Sequence, residues 1–563
     1  MTPEIPSGRL NSDPSRIAAI SNAAKLSYDV LIIGGGIVGT GIARDASMRG
    51  MSVVLFDEQD LSSGTSSKSS RLIHGGLRYL DSYDFGLVYK DLHEREKLLH
   101  IAPHLVRPLK FIVPQYGQSS FQRFRLKIGM FLYDLFSNGK TLPSYEMLSS
   151  SQIIQMEPSL RRDGLQGGAL FYDCQAPFAE RLSIENALSA FESRAKIFTY
   201  VSIVGSELGA GRSSRVQVKD TLSNERFTFQ ARCIVNATGP WADLTLQSIS
   251  KKTTRNRLRT TKGVHLVIPR LNENGIILYS KSDKRLFFVI PWFNFTLIGT
   301  TDTDYSDNPA RVRPDSSDIE YLLRETSRAI PNISIDKILF TYAGVRPLVR
   351  AAPSKKESNI SRNYRIVDHS PRNKNGGLFS VLGVKITSYR QASEDATNLI
   401  SRKLKRATKC STDSEPLPGG KGIANYEEFL SIYSGKLKDY GLDENQITHL
   451  LGIYGSRVAE IIDLIDSEKN LMKRICPNNP DVEAQIVLSV NSEFALSVSD
   501  FMLRRAPIAF SSCRGLDCVE TVAHSMGRLL SWNKESIRDQ IESYQADIEE
   551  RLPLIPATKS AND

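Results

Sequence analysis

Three closely spaced glycines are the first residues in this sequence whose pattern suggests a chemistry. They follow an apolar, β-branched run at 28–34 and precede a helical pattern at 39–50. A glycine turn between a strand and a helix lets backbone N–H groups approach a pyrophosphate, and the helix N-terminus attracts its charge. The next predicted strand, 52–57, ends in Asp57, which would accept a hydrogen bond from a ribose hydroxyl. The pattern therefore predicts a dinucleotide site, and the G-x-G-x-x-G glycines are Gly34, Gly36 and Gly39.

Small and polar residues at further strand ends favour FAD over NAD. A hydroxyl- and glycine-rich stretch occupies 65–76, residues 236–241 end another buried strand, and residues 383–387 end a third strand before a helix. Such stretches can wrap an extended pyrophosphate and reach the isoalloxazine ring, and the last helix N-terminus could stabilise charge on a reduced flavin. The additional candidate cofactor-binding residues are Ser66, Ser67, Ser70, His74, Gly75, Gly76, Ala237, Gly239, Trp241, Lys385, Ile386 and Thr387.

Positively charged residues near these strand ends predict an anion-binding pocket. Arginine and lysine in a dry pocket hold phosphate or carboxylate groups, although each could instead form a solvated or structural ion pair. His74 and His265 could be bases near the flavin or packed histidines. The cations concerned are Arg78, Arg346, Arg362 and Lys385.

The pattern of elements predicts an α/β protein. We expect an FAD-binding, Rossmann-like domain of the amino-acid-oxidase type, a mixed-sheet substrate domain and an all-helical C-terminal domain. A Pro- and Gly-rich linker is predicted at 416–420. The expected boundaries are 1–27 for an N-terminal lead that is unstructured or a loose helix, 28–95, 170–240 and 342–415 for the FAD domain, 96–169 and 241–341 for the substrate domain, and 416–563 for the helical domain.

Composition excludes several classes of protein. The 563 residues are 40% hydrophobic and 24% charged, as in a globular chain. The longest apolar runs are far shorter than the ~20 residues of a membrane-spanning helix. Residues 1–27 contain three prolines and no apolar segment, so we expect no conventional secretion signal. The six cysteines are scattered and predicted to be reduced, and no metal site is predicted, because Cys513 and Cys518 have no second pair of ligands with suitable spacing nearby.

The charge is unevenly distributed along the chain. Residues 411–563 carry a net charge of −9, and residues 1–410 carry +19. A basic body suits general solubility, an anionic membrane surface, an anionic substrate or nucleic acid, and charge alone does not separate these.

Eight segments in the order typical of one family carry a close resemblance. With these segments, the chain resembles the FAD-dependent, respiratory, quinone-linked glycerol-3-phosphate dehydrogenases over 28–410, and more weakly through 491–505. The segments are IIGGGIVGTGIARDASMRG (32–50), GTSSKSSRLIHGGLRYL (64–80), EREKLLHIAPHL (94–105), VNATGPWAD (235–243), FFVIPW (287–292), IGTTDTDY (298–305), YAGVRPL (342–348) and VLGVKITSYR (381–390).

The resemblance implies oxidation of sn-glycerol 3-phosphate to dihydroxyacetone phosphate. A hydride would pass from substrate C2 to flavin N5 while His74 or Lys385 takes the hydroxyl proton, and the electrons would go on to a membrane quinone. The matching active-site positions are His74, Arg78, Arg346 and Lys385, and the supporting or substrate-binding positions are Tyr79, His265, Arg362 and Thr387.

Two positions depart from the family pattern. Val384 stands where the family often has glycine, and Val264 where it often has serine. Neither change removes a charged group, so they bear on pocket detail. Calcium control, found in animal relatives, is not implied because the sequence has no D-x-D-x-D-G loop.

Other functions remain open at this point. They are a glycerol-3-phosphate oxidase that uses oxygen, an amino-acid-type oxidase, a basic RNA-interacting flavoprotein and a flavin-bound scaffold. The family implies a peripheral position on the inner face of the cytoplasmic membrane, with anionic lipid and quinone as partners, no nucleic acid, and a homodimer as one possible state. Residues 121–136 interleave basic and bulky apolar side chains, which suits a lipid surface or a helix packed inside the substrate domain.

Overall fold

The first helix is anchored to the body of the protein. The computed structural model describes residues 14–77, 83–137, 139–209, 213–250, 257–350, 363–370 and 377–553. Helix α1 (Pro14–Ala24) buries Arg16, which forms a 2.7 Å ion pair with buried Asp220. From residue 14 onwards the N-terminal lead is therefore a packed helix.

A mixed eight-stranded sheet carries the glycine turn. Its strands are β1 (Ser27–Ile33), β2 (Val53–Phe56), β7 (Lys196–Phe198), β8 (Val201–Glu207), β9 (Ser214–Asp220), β10 (Arg226–Asn236), β17 (Arg365–Asp368) and β18 (Gly377–Leu382). Their order is β17-β18-β10-β1-β2-β7, and β9 pairs with both β10 and β8. Strands β2, β1, β10 and β18 run parallel, so their carboxyl ends share one edge. Residues 30–33 of β1 are all apolar and buried because both faces of the strand are covered there.

Three helices flank this sheet at the glycine turn. They are α2 (Ile37–Met48), α6 (Glu180–Glu192) and α9 (Tyr389–Leu404). Helix α2 packs against both others, and Asn186 of α6 donates a 3.0 Å hydrogen bond to the Tyr389 hydroxyl of α9. The predicted strand–helix–strand unit is therefore confirmed, as is the strand and helix pair near residue 385.

A second sheet has ten strands. Its strands are β3 (Leu72–Ile73), β4 (Arg107–Tyr116), β5 (Glu146–Leu148), β6 (Leu165–Gln175), β11 (Leu258–Pro269), β12 (Gly275–Tyr279), β13 (Leu286–Trp292), β14 (Phe295–Gly299), β15 (Thr303–Asp304) and β16 (Phe340–Val349). The order is β15-β11-β14-β13-β12-β4-β6-β3, with β16 on β11 and β5 on β6. The boundaries expected at 170 and 342 fall inside β6 and β16, which pair within this second sheet.

Helices cover the second sheet and make up the C-terminal region. Those on the second sheet before residue 330 are α3 (Phe85–Ile101), α4 (Ser120–Phe136), α5 (Ser150–Met156) and α8 (Ser316–Ser327). Helix α7 (Ala242–Ser250) packs instead on β8, β10 and β18 of the first sheet. Those of the C-terminal region are α10 (Tyr426–Lys438), α11 (Glu444–Tyr454), α12 (Val458–Ser467), α13 (Glu483–Ser492), α14 (Val519–Leu530) and α15 (Lys534–Arg551). The prediction of a helical C-terminal region is confirmed.

The predicted linker is a packed segment. Residues 417–420 are buried, and the Gly419 amide donates to the Glu185 carboxylate at 2.7 Å. A Cβ on Gly419 would lie 2.5 Å from Nε2 of His104. The small residues lie where two surfaces approach closely, so the predicted linker is a packed connection to the helical region.

Buried ion pairs join the C-terminal region to the first sheet. The Asp60 carboxylate, in the loop after β2, accepts hydrogen bonds from Arg504 and Arg505. Arg181 of α6 pairs with Glu493 at 2.5 Å, and Arg457 pairs with the same carboxylate at 2.6 Å. Each carboxylate thus faces two guanidinium groups from which water is excluded.

Candidate active site

One large cavity lies where the two sheets meet. Its volume is about 830 Å³, and its walls include the carboxyl ends of β1, β10 and β18 together with residues of β11 and β16. In a parallel α/β sheet, ligands bind outside the carboxyl ends of the strands. The cavity therefore lies where the glycine turn predicts a cofactor.

The glycine turn is shaped by close backbone approaches. Gly34 has a φ of +106°, and a Cβ there would lie 2.8 Å from the Ala237 carbonyl oxygen. A Cβ on Gly39 would lie 1.8 Å from the Gly34 carbonyl oxygen. Gly36 faces the cavity and opens the helix, while Gly39 packs the helix on the strand. A side chain at Gly34 or Gly39 would therefore clash with the backbone. Gly36 leaves the cavity wall free of a side chain.

Asp57 closes the same turn from the end of β2. One of its carboxylate oxygens accepts from the Gly35 amide at 2.5 Å, and the other accepts from the Gln59 amide at 2.9 Å. Burial raises the pKa of Asp57 to about 7, despite these two hydrogen bonds. The carboxyl group lines the cavity, as the sequence predicts.

The hydroxyl-rich loop binds to the elements around it. Ser66 accepts from the Ile37 amide at 3.0 Å, which joins the loop to the start of α2. Thr65 donates to the Val345 carbonyl of β16 at 2.8 Å. Ser70 shares a 2.8 Å hydrogen bond with Nε2 of His265. The loop therefore connects the two sheets along the cavity floor.

The segment around His74 is held by buried polar groups. The His74 amide donates to the Thr387 hydroxyl at 3.1 Å, and the Gly75 amide donates to the Tyr133 hydroxyl at 2.9 Å. Tyr133, from the inner face of α4, donates in turn to Asp173 at 2.6 Å. These hydrogen bonds fix the backbone that presents the His74 ring to the cavity.

His74 is a neutral imidazole at neutral pH. Enclosure, together with the nearby charge of Lys385, lowers its pKa to about 4 against the opposing effect of Asp173. The neutral ring has a lone pair, so it can accept a proton.

Lys385 follows β18, where the chain turns towards α9. Its ammonium group donates to the Asp91 carboxylate of α3. Asp91 is buried, and burial raises its pKa to about 6 even though Lys385 lowers it. This ion pair fixes the position of the Lys385 ammonium group. Lys385 and His74 line the same cavity.

Two arginines and a histidine form the opposite wall. Arg346 of β16 donates to the Thr300 hydroxyl at 2.7 Å and pairs with Asp302 at 3.3 Å, while Arg285 donates to the Asp302 carbonyl. His265 stacks on the Tyr342 ring at 4.7 Å between centroids. Burial lowers the pKa of His265 well below its usual value, and Arg346 adds to this effect, so this ring is also neutral.

Most of the predicted site residues meet in this cavity. Its walls include Gly34, Gly36, Asp57, Ser66, Ser70, His74, Gly76, Ala237, Gly239, Trp241, His265, Arg346, Lys385, Ile386 and Thr387. Gly39, Ser67 and Gly75 are not among the lining residues. Ser67 donates within its own turn to Gly64 at 3.1 Å, and a Cβ on Gly75 would lie 2.4 Å from Leu92. The predicted residues Arg78, Tyr79 and Arg362 lie outside the described residues.

Comparison with known proteins assigns this architecture to a family. A profile of FAD-dependent oxidoreductases matches residues 29–383, and a profile described as the C-terminal domain of alpha-glycerophosphate oxidase matches 410–537. A glycerol-3-phosphate dehydrogenase of Synechocystis is 38% identical over 542 residues, which span 93% of this chain and 97% of the relative. An aerobic glycerol-3-phosphate dehydrogenase of Staphylococcus aureus is 31% identical over 539 residues, 93% of this chain and 94% of the relative.

This chain belongs to the FAD-dependent glycerol-3-phosphate dehydrogenase family.

Solved structures agree with this assignment. The glycerol-3-phosphate dehydrogenase of Bacillus halodurans, complexed with FAD, is 26% identical, has a TM-score of 0.77, and the match covers 97% of this chain and 100% of that one. The L-alpha-glycerophosphate oxidase of Mycoplasma pneumoniae has a TM-score of 0.54 at 18% identity, over 70% of this chain and 99% of that one, and so shares the fold.

The cofactor of this family, FAD, fits the residues present. Side-chain-free backbone at Gly34 and Gly36 borders the cavity, and the φ values of Gly34 and Gly239 suit glycine. Buried Nδ1 of His265 has no hydrogen-bond partner among the described residues, although the ring borders the cavity. Asp57 would hold the ribose, the α2 N-terminus the pyrophosphate, and the start of α9 the reactive ring.

Several residues that line or support this cavity escape sequence reasoning. Asp91, Tyr133 and Asp173 support Lys385 and the His74 segment, and Arg285 adds a second guanidinium to the cavity wall. Asp91, Tyr133 and Asp173 lie within helices and strands, and Arg285 directly precedes β13. Asp91 lies on the buried face of α3 with Glu94 and Arg95, and a buried carboxylate signals a buried cation.

Proposed function

We propose that this chain oxidises sn-glycerol 3-phosphate to dihydroxyacetone phosphate and passes the electrons to a membrane quinone. The observation that carries the proposal is the meeting of His74, Arg346 and Lys385 in the same cavity as the glycine turn. FAD, when bound, supplies an acceptor for the hydride lost from substrate C2. Side chains carry out the proton transfer and bind the substrate.

The proton of the substrate hydroxyl goes to His74 in this proposal. Its neutral ring is ready to accept a proton, whereas the Lys385 ammonium is already held by Asp91. Loss of hydride from C2 and of the proton from oxygen leaves a ketone, so atoms and charge balance. Lys385 then serves as a fixed positive charge beside the oxygen, where it stabilises developing negative charge.

The substrate phosphate is assigned to the arginine wall. Arg346 and Arg285 both contact Asp302, and both line the cavity. Arginine forks match phosphate oxygens in pairs. An amino-acid substrate would need a single carboxylate clamp, so the two guanidinium groups favour a phosphate.

The flavin absorbance spectrum tests the reaction directly. Purified protein, kept anaerobic, should lose its oxidised-flavin absorbance when sn-glycerol 3-phosphate is added. The enantiomeric sn-glycerol 1-phosphate and free glycerol are controls, and neither should bleach it at the same rate. Bound flavin that glycerol 3-phosphate does not bleach would refute the substrate assignment.

A lipid-facing helix supports the quinone as acceptor. The bulky residues on the outer face of α4 are exposed, and they are Phe121, Phe124, Ile128, Phe131 and Leu135. Their spacing of three and four residues makes one stripe, and exposed arginine and lysine side chains lie beside it. A basic helix with an apolar stripe binds the interface of an anionic bilayer.

This helix also reaches the active site. Tyr133, on its inner face, hydrogen-bonds the Gly75 amide next to His74. Phe85, at the start of α3, lies 5.7 Å from Phe136 and extends the apolar surface beyond α4. A quinone held in the bilayer would then meet the protein close to the flavin.

Among the described residues, no helix is long and apolar enough to span a bilayer. Attachment through α4 therefore has to be interfacial.

Vesicle binding tests the membrane proposal. Phe124→Ser combined with Phe131→Ser should reduce sedimentation with anionic vesicles at least tenfold and slow turnover with vesicle-borne quinone, while bleaching by glycerol 3-phosphate stays intact. The control combines Ile432→Ser with Leu516→Ser, which are exposed apolar residues of the C-terminal region. Equal binding to neutral and anionic vesicles, or reoxidation as fast by oxygen as by quinone, would contradict the proposal.

A further inference from the structure

Three cysteines and an aspartate meet in the C-terminal region, far from any role in the proposed reaction. Cys476 lies in the loop between α12 and α13, and Cys513, Asp517 and Cys518 lie in the loop before α14. The thiol of Cys476 is 3.3 Å from one Asp517 carboxylate oxygen and 3.5 Å from the other. The ligand atoms of Cys476, Cys513 and Asp517 all lie within 4.8 Å of one another.

These separations are close to those of a tetrahedral metal centre. With Zn–S of about 2.3 Å and Zn–O of about 2.0–2.2 Å, neighbouring ligand atoms of a tetrahedral site lie about 3.6–3.8 Å apart. Soft sulfur ligands with one carboxylate select zinc over magnesium or calcium. The cluster thus has the donor set and the spacing of a zinc site.

Cys518 and Asn479 lie beside the cluster. Cys518 is buried, and its thiol donates to the Gly515 carbonyl at 3.5 Å. The side-chain amide of Asn479 donates to the Cys476 sulfur at 3.3 Å. An N–H group directed at a coordinating sulfur is the kind of outer contact that orients metal ligands.

Both loops have backbone that fixes their positions. A bridge between Arg474 and Val482 closes the first loop, and the Ile475 amide donates to the Asp481 carbonyl at 3.0 Å. The second loop turns sharply through Arg514 and Gly515, whose φ values are +51° and +71°. The sulfur and oxygen atoms therefore converge from two pre-formed turns, and Asp517 is exposed enough to admit an ion from solvent.

We propose that Cys476, Cys513 and Asp517 bind one zinc ion, which joins the two loops of the C-terminal region. The sequence does not reveal this site, because Cys476 is distant along the chain from Cys513 and Asp517. The site lies just beyond Phe510, whose ring packs 5.1 Å from Trp292 of the second sheet.

Metal analysis of the full-length flavoprotein tests the site. Protein stripped with a chelator, reloaded with zinc and desalted should retain about one zinc per chain by plasma mass spectrometry. Cobalt(II) loading should add absorbance beyond the flavin bands, as thiolate-bound cobalt does. Cys513→Ser and Asp517→Asn should each weaken zinc binding at least tenfold while FAD content stays unchanged.

A matched control and two results make the test decisive. Cys410→Ser removes a half-buried thiol outside the cluster and should keep the full zinc content. No retained zinc in the wild-type protein, or equal zinc in Cys513→Ser, would overturn the proposal. A Cys476–Cys513 disulfide found in protein purified without oxygen would also overturn it.

Discussion

At the scale of single residues, His74 shows how enclosure sets protonation. The ring is held at the cavity wall by its backbone, and its pKa falls to about 4 because the protein excludes water around it. At neutral pH almost every molecule has this base in its active form. Protonation becomes appreciable only as the pH approaches 4.

Replacing His74 tests this role. His74→Asn keeps a side chain of similar shape but accepts no proton at physiological pH, so flavin reduction by substrate should slow by about 10²–10⁴-fold. The wild-type rate of reduction should show no loss attributable to His74 between pH 7 and 5, with the loss appearing nearer pH 4. Stopped-flow absorbance measures both rates.

The matched variant is His100→Asn, at the exposed end of α3. It should reduce its flavin at the wild-type rate. A His74→Asn enzyme with an unchanged limiting rate and only a raised KM would show that His74 binds substrate without moving the proton.

At the scale of elements, the strand–helix turn at the glycines is the most constrained part of the fold. Gly39→Ala would place a Cβ 1.8 Å from the Gly34 carbonyl, so α2 must shift away from β1. We expect the ratio of FAD to protein to fall at least tenfold, measured from the flavin and protein absorbance of the purified variant.

Gly129→Ala is the matched change within another helix. Nothing lies within 4 Å of the added Cβ on α4. Alanine favours a helix interior by about 1 kcal/mol over glycine, so FAD content should be unchanged and α4 no less stable. Normal FAD content in Gly39→Ala would mean that the turn adapts.

The elements also show how far sequence reasoning reaches. The first strand–helix–strand unit and the helical C-terminal region are predictable because each has a local periodic pattern. The packing of residues 417–420 is not, since a proline–glycine segment looks the same whether it is solvated or wedged against His104. The sequence also does not show whether the outer face of α4 is exposed. A helix with apolar residues on two faces can lie in a protein core or on a bilayer.

The site divides in the same way. Asp57 and Lys385 follow recognisable strand ends, so their place at the cavity is predictable. Asp91 and Tyr133 are not, because their function depends on tertiary contacts across nearly 300 and nearly 60 residues of chain.

At the scale of the whole molecule, buried ion pairs hold the C-terminal region to the first sheet. Asp60→Asn leaves Arg504 and Arg505 without their shared carboxylate in a dry site, which should cost about 3–5 kcal/mol of stability. Asp466→Asn removes an exposed carboxylate beside Lys469 and should leave stability almost unchanged. Urea unfolding of both variants gives the comparison, and equal midpoints would contradict it.

The Glu493 carboxylate makes this stability depend on pH. Burial alone would raise its pKa, but Arg181 and Arg457 lower it to about 2, from an ordinary value of 4.5. Its contribution is therefore full above about pH 4.5 and is lost as the pH falls towards 2. The stability gap between the wild type and Glu493→Gln should shrink over that range, and a constant gap would rule out this assignment.

The residues that form the cavity also determine when the flavin can bind during synthesis of the chain. The cavity depends on hydrogen bonds between distant segments, which join Ala237 to Ile33, Val345 to Thr65, Thr387 to His74 and Arg551 to Ser63. The N-terminal glycine turn leaves the ribosome long before these partner residues have been synthesised. Flavin binding therefore follows translation. A chain truncated by a late stop codon would lack part of its cofactor site.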